Sequence, residues 1–99
     1  MLCEGAVRFM QQAMEAIRDE NAQLRYDKLS RTSDIILALK AALDISSGDP
    51  IAQQLDSFYH ALDARIIAVH HSHDLSECAE ILLELRSLRD SWDAIACTQ

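Results

Sequence analysis

Residues 43–66 read Leu-Asp-Ile-Ser-Ser-Gly-Asp-Pro-Ile-Ala-Gln-Gln-Leu-Asp-Ser-Phe-Tyr-His-Ala-Leu-Asp-Ala-Arg-Ile. The only proline of the chain, Pro50, lies here with one of its two glycines, Gly48. Gly48 suits the positive φ of a helix exit. Asp49 suits a cap that accepts from the free N–H groups of a following helix. Pro50 suits a first helical position, where its missing N–H costs nothing. Behind it, Ile51, Leu55, Phe58, Leu62, Ile66 and Val69 fall in a stripe roughly 80° wide at 100° per residue. The triplet is therefore read as punctuation between two helices. A phosphate-cradling loop needs more glycines and a strand before it.

The same period recurs on either side. The first helix is expected over about 2–18. Its stripe Leu2, Ala6, Phe9, Ala13 and Ile17 runs beside a second, Cys3, Val7, Met10 and Met14. Together they cover roughly 200°, wider than one core face needs. The second helix is expected over about 24–44, with Leu29, Ile36, Leu39 and Leu43 inward and Tyr26 and Leu37 falling away. The third spans about 50–70, with Tyr59 at the edge of its stripe and His60 and Ile67 pointing elsewhere. Asp74-Leu-Ser-Glu77 resembles a capping box and opens a fourth helix over about 75–96. Cys78, Ile81, Leu85, Leu88, Trp92 and Ile95 are its expected buried face, with Leu83 on the far side. Short connections between helices of this length give an all-α, antiparallel up-down-up-down four-helix bundle. The 99 residues make one domain.

Composition narrows function. The formal net charge is −7, with a pI near 4.8 and a mean hydropathy of −0.05. Nucleic acid and anionic membranes want a basic surface, so neither is an expected partner. No apolar run reaches the roughly 18 residues of a membrane span, and the start has no signal-peptide core. A cytoplasmic location is expected. Three cysteines, Cys3, Cys78 and Cys97, are far apart and read as buried thiols rather than a disulfide or zinc framework.

The chemistry-bearing residues do not assemble into a reaction. His70-His-Ser-His73-Asp74 contains metal-ligand types, and His60 lies nearly three turns earlier on the same expected helix. Bundle metal sites draw on facing helices, often through Glu-x-x-His, which does not occur here. The cluster reads as a polar turn, so no cofactor and no metal are expected. No serine lies in a nucleophile elbow, and the chain reads as a non-enzyme. What remains is apolar surface. The wide face of the first helix, with Leu37, Ile67 and Leu83, suits an amphipathic helical segment from another protein. A self-associating module, and a metal-binding bundle, are the alternatives.

Four stretches in register carry a resemblance to a known family. Met1-Leu-Cys-Glu-Gly-Ala-Val-Arg-Phe resembles a family helix of the form mLYdGAirF. Asp34-Ile-Ile-Leu-Ala-Leu with Leu43-Asp44 resembles dII..L...LD. Ile51-Ala, Leu55, Tyr59 and Arg65 are similar to IA..L...Y.....RL, and Asp74, Leu85-Arg86 and Trp92 to D...l.....LL..LR..W. The family is that of the flagellar secretion chaperone FliS. The resemblance implies an antiparallel four-helix bundle that binds the C-terminal segment of flagellin, keeps it from polymerising in the cytosol and delivers it to the type III export apparatus. It also implies an export-gate component as a further partner, and a monomer or weak homodimer. Val7, Met10, Met14, Tyr26, Leu37, Tyr59, Ile67 and Leu83 are the expected partner-binding residues. Three positions depart from the pattern. Cys3 stands where tyrosine is usual, Ala61 where an aromatic often follows Tyr59, and His70 where asparagine is frequent. The resemblance also implies a family segment ahead of the residues that match Met1.

Overall fold

A computed structural model describes residues 2–43 and 50–97, with side chains at all of these except 2 and 92–97. It contains four helices: α1 (Leu2–Arg18), α2 (Ala22–Ala41), α3 (Pro50–Ser72) and α4 (Leu75–Cys97). No strand occurs among the described residues. The Gly48 exit and the Asp49 cap lie outside the described residues, as do the side chains of Trp92, Ile95 and Cys97. Each helix lies beside its two neighbours, in the ring α1–α2–α3–α4. The particle measures 43 × 26 × 19 Å, and its longest helices, of 23 residues, span about 35 Å of the long axis at 1.5 Å per residue.

Two described turns show how the chain reverses. Glu20 takes φ 55° at the end of α1. Its N–H donates to Ile17 O at 3.1 Å, and the Asn21 N–H donates to Ala16 O at 2.8 Å. This is a Schellman closure with glutamate in the left-handed position that glycine usually fills. Asn21 then caps α2, its Oδ1 accepting from the Leu24 N–H at 3.1 Å. At the far turn His73 has φ 54°, and its N–H donates to Val69 O at 3.0 Å. Asp74 Oδ1 accepts from the N–H groups of Ser76 and Glu77 at 2.9 and 3.4 Å. One residue ends a helix and the next starts another, so adjacent helices run antiparallel.

The core holds Met10, Leu29, Ile36, Tyr59, Leu62, Ile66, Ile81 and Leu85, all under 2% exposed. Most of the apolar arc of α1 is inside it: Ala6, Met10 and Ala13 are fully buried, and Cys3, Val7 and Met14 nearly so, while Ile17 is half-buried against the core and Phe9 is half-buried under Lys28 and Arg31. This corrects the expected surplus on the first helix. The broad apolar arc is two faces, one against α2 and one against α4. Small residues let the neighbours close in: a Cβ on Gly5 would lie 3.4 Å from Ile35 Cδ1. Tyr59 is also core, at 1% exposed, rather than at the edge of its stripe. Ile51, read as part of that stripe, is 66% exposed. It has the inward angle but sits in the first turn of α3, at the end of the bundle.

Candidate functional site

The expected partner-binding residues separate into two groups. Val7, Met10, Met14 and Tyr59 are buried. They hold the bundle together and offer a partner no surface beyond what Val7 and Met14 contribute to cleft floors between α1 and α4. Tyr26, Leu37, Ile67 and Leu83 are exposed by 65, 47, 49 and 63%. Exposed side chains of this size become informative when they share a face.

Three of the four do. The register between α2 and α3 is marked by three cross-helix contacts. The Tyr26 ring meets the His70 ring at 5.3 Å between centroids. Ser33 Oγ donates to Asp63 Oδ1. Lys40 Nζ lies 3.8 Å from Asp56 Oδ1. Steps of seven on α2 answer steps of seven on α3 in the opposite sense, as antiparallel helices require. Tyr26, Ser30, Ser33 and Leu37 therefore form one outward row on α2, and His60, Asp63, Ile67 and His70 face it from α3. Between the rows, near the start of α2, lies a cleft of about 400 Å³ lined by Arg25, Tyr26, Ser30, Ile67, His70 and His71. Its walls combine an aromatic ring, a branched apolar chain and hydrogen-bonding groups, which is the chemistry that holds an amphipathic segment. The His70 imidazole is held neutral below its usual range, first by burial, then by the Arg25 charge and by His71. Leu83 is not part of this face. It lies about 200° round α4 from the buried Ile81, on the solvent side.

A second apolar cleft opens on the other flank of α3. Leu55, Phe58 and Leu88 line it with Glu84, Ser87 and Ser91, and it measures about 230 Å³. The sequence reading assigned Leu55, Phe58 and Leu88 wholly to the core. Leu55 and Phe58 are half-buried instead, because α3 and α4 touch each other least of the neighbouring pairs. Leu24, near the start of α2, is 40% exposed. Below this cleft Arg65 ties the two helices, its Nε donating to Glu77 Oε1 at 2.6 Å, with further bonds to Glu80 and Glu84. No group of three or more potential metal ligands gathers among the described residues, and His70, His71 and His73 do not converge. Among them, no helix is long and apolar enough to cross a membrane.

The described residues form a four-helix bundle with an open, partly aromatic groove on one edge. The comparisons with known proteins give it a family. The family described as "Flagellar protein FliS" matches residues 1–99, and the chain belongs to that family. It is 27% identical over 95 residues to the flagellar secretion chaperone FliS of Vibrio cholerae, covering 96% of this chain and 70% of that protein. It is 28% identical to the flagellar secretion chaperone FliSB of Pseudomonas aeruginosa, covering 97% and 76%. To the flagellar secretion chaperone FliS of Escherichia coli it is 28% identical, covering 93% and 68%.

Proposed function

We propose that this chain is a cytosolic export chaperone that holds the C-terminal segment of flagellin, prevents its premature polymerisation and delivers it to the flagellar type III export apparatus. Membership of the FliS family supports the general role. The observation that carries the finer reading is the shared exposure of Tyr26, Leu37 and Ile67 along the α2–α3 groove. A client segment that is disordered alone gives up a few kcal/mol on ordering. Apolar side chains seated beside the Tyr26 ring and Ile67 offset that cost by leaving water. The cleft's serine and histidine groups hydrogen-bond the client's polar edge. Leu83 serves a client long enough to pass round α4.

The test is calorimetric titration of the protein with the C-terminal segment of its own flagellin. Binding accompanied by a gain in helicity is expected. Ile67→Asp should weaken it by about tenfold or more while thermal stability holds, because half of Ile67 already faces water. Ile66→Asp, a fully buried neighbour, should instead unfold the bundle. Absence of heat and of co-elution with the segment would end the reading.

A further inference from the structure

The edge opposite the α2–α3 groove, between α1 and α4, has the reverse character. Two clefts of about 510 and 310 Å³ run along it. Gln11 and Arg86 line both, so the two are one trough. Arg8 and Arg89 flank Arg86 in the larger cleft and Arg18 in the smaller. Four of the nine basic residues of a chain with 16 acidic ones thus gather on a single edge. Yet among the described residues Arg8, Arg18 and Arg86 have no carboxylate within ion-pairing distance. Arg89 meets only its neighbour Asp90, at 3.1 Å and exposed. Asp93, one turn further on, has a side chain outside the described residues. Among the described residues, the acidic groups lining the trough are Glu4 and Glu15. Each stands beside an arginine on the same helix without pairing to it.

We propose that this trough docks an acidic segment of a partner protein. Guanidinium groups receive carboxylates through paired, planar hydrogen bonds, and a shallow polar cleft strengthens them relative to open water. Arg8 and Arg18 are ten residues apart on α1, a span of about 15 Å. A segment carrying carboxylates over that length matches both ends and the central Arg86. The interleaved Glu4 and Glu15 set its register, since a carboxylate opposite either is repelled. That interleaving, with a net charge of −7, works against a uniform polyanion such as nucleic acid or an anionic bilayer. The trough and the α2–α3 groove lie on opposite edges of the ring, so both can be filled together. The inference does not depend on what fills the groove.

The experiment is fluorescence anisotropy of a labelled oligoglutamate peptide titrated with the protein at low and at physiological ionic strength. Binding that weakens with salt, and that falls by about tenfold or more in the double variant Arg8→Ser, Arg86→Ser, is expected. Arg18→Ser, at the exposed end of the trough, should weaken it less. Arg31→Ser, on α2 and away from the trough, should leave it unchanged. Circular dichroism of each variant checks the fold. No binding at low salt overturns the proposal, as does unchanged binding by a folded double variant. So does tighter binding of oligothymidylate or phosphatidylglycerol vesicles that the same double variant abolishes.

Discussion

The edge of one ring meets the other where Tyr26 of α2 and His70 of α3 approach to 5.3 Å, inclined at 60°. The contact closes one end of the groove, and it makes the bundle sensitive to acid. Burial, the Arg25 charge and His71 all favour the neutral imidazole, so its pKa in the fold lies below the ordinary 6.5. Among the described residues, the lining of the cleft contains no carboxylate to oppose them. Above the unfolded value both states are neutral and the stabilisation is fully present. As pH falls through that value the unfolded chain takes up a proton first, and stability declines until the folded-state pKa is passed. Urea midpoints measured between about pH 7 and pH 5 should fall more steeply for the native sequence than for His70→Asn. Parallel slopes would mean that His70 is solvated and its cleft open.

Arg65 is the second cross-helix tie, and it acts where α3 and α4 are least in contact. Its guanidinium reaches Glu77, Glu80 and Glu84 on successive turns of α4. The Glu77 hydrogen bond is the largest influence raising its pKa, so the charge is fixed at every accessible pH. Arg65→Met keeps the apolar stem but leaves three like charges facing one another. A loss of about 1–2 kcal/mol is expected, since a partly buried network exceeds a lone surface pair. Arg31→Met breaks an exposed pair with Asp27 and a cation–π contact over the Phe9 ring at 5.8 Å, and should cost about 0.5 kcal/mol, less than the Arg65 variant. Raising the salt to about 1 M should shrink the Arg65 penalty. Equal losses for the two variants in denaturant melts would count against the network.

The helices were legible because each apolar stripe keeps a helical period, and the Asp74 cap because its spacing to Glu77 is local. What escaped was the number of neighbours each face meets. The first helix shows roughly 200° of apolar surface at 100° per residue, and the sequence alone does not say whether a second helix covers the extra arc. It does, with Gly5 close against Ile35 of α2, so Val7, Met10 and Met14 are buried. The exposure of Tyr26, Leu37 and Ile67 was legible because they violate their own helix's stripe. Position along the axis was equally invisible. Ile51 has the inward angle of Leu62 yet lies at the bundle's end, and Leu55 and Phe58 border a cleft because α3 and α4 part there. The basic edge went unread because Arg8, Arg18, Arg86 and Arg89 are scattered in sequence and meet only in space.

Cys78 provides a probe of the α3–α4 side of the core. It is fully buried, and burial, followed by the Asp74 and Glu77 charges, pushes its thiol up to about 11. In a Cys3→Ser, Cys97→Ser background it should resist a thiol reagent at mildly alkaline pH and react only as fast as the bundle opens. Stability should also fall as pH rises past the ordinary value of 9.0, because the unfolded thiol ionises while the folded one does not. Labelling as fast as that of a free thiol, with the fold intact, would show that the core at Cys78 is open to solvent.

The Glu20 turn offers a gain instead of a loss. Its φ of 55° places a Cβ in the left-handed region, which disfavours every residue with a side chain by about 1–2 kcal/mol relative to glycine. Its carboxylate also sits at the negative end of the α1 dipole. Glu20→Gly should raise stability by about 0.5–1 kcal/mol after the added freedom of the unfolded chain is subtracted, or about 2–8 °C in Tm for a chain of this size. Glu20→Ala separates the two causes, since it removes the charge and keeps the Cβ. If the backbone dominates, alanine recovers little and asparagine falls between alanine and glycine. If alanine matches glycine in thermal melts, the charge is responsible and the turn carries no strain.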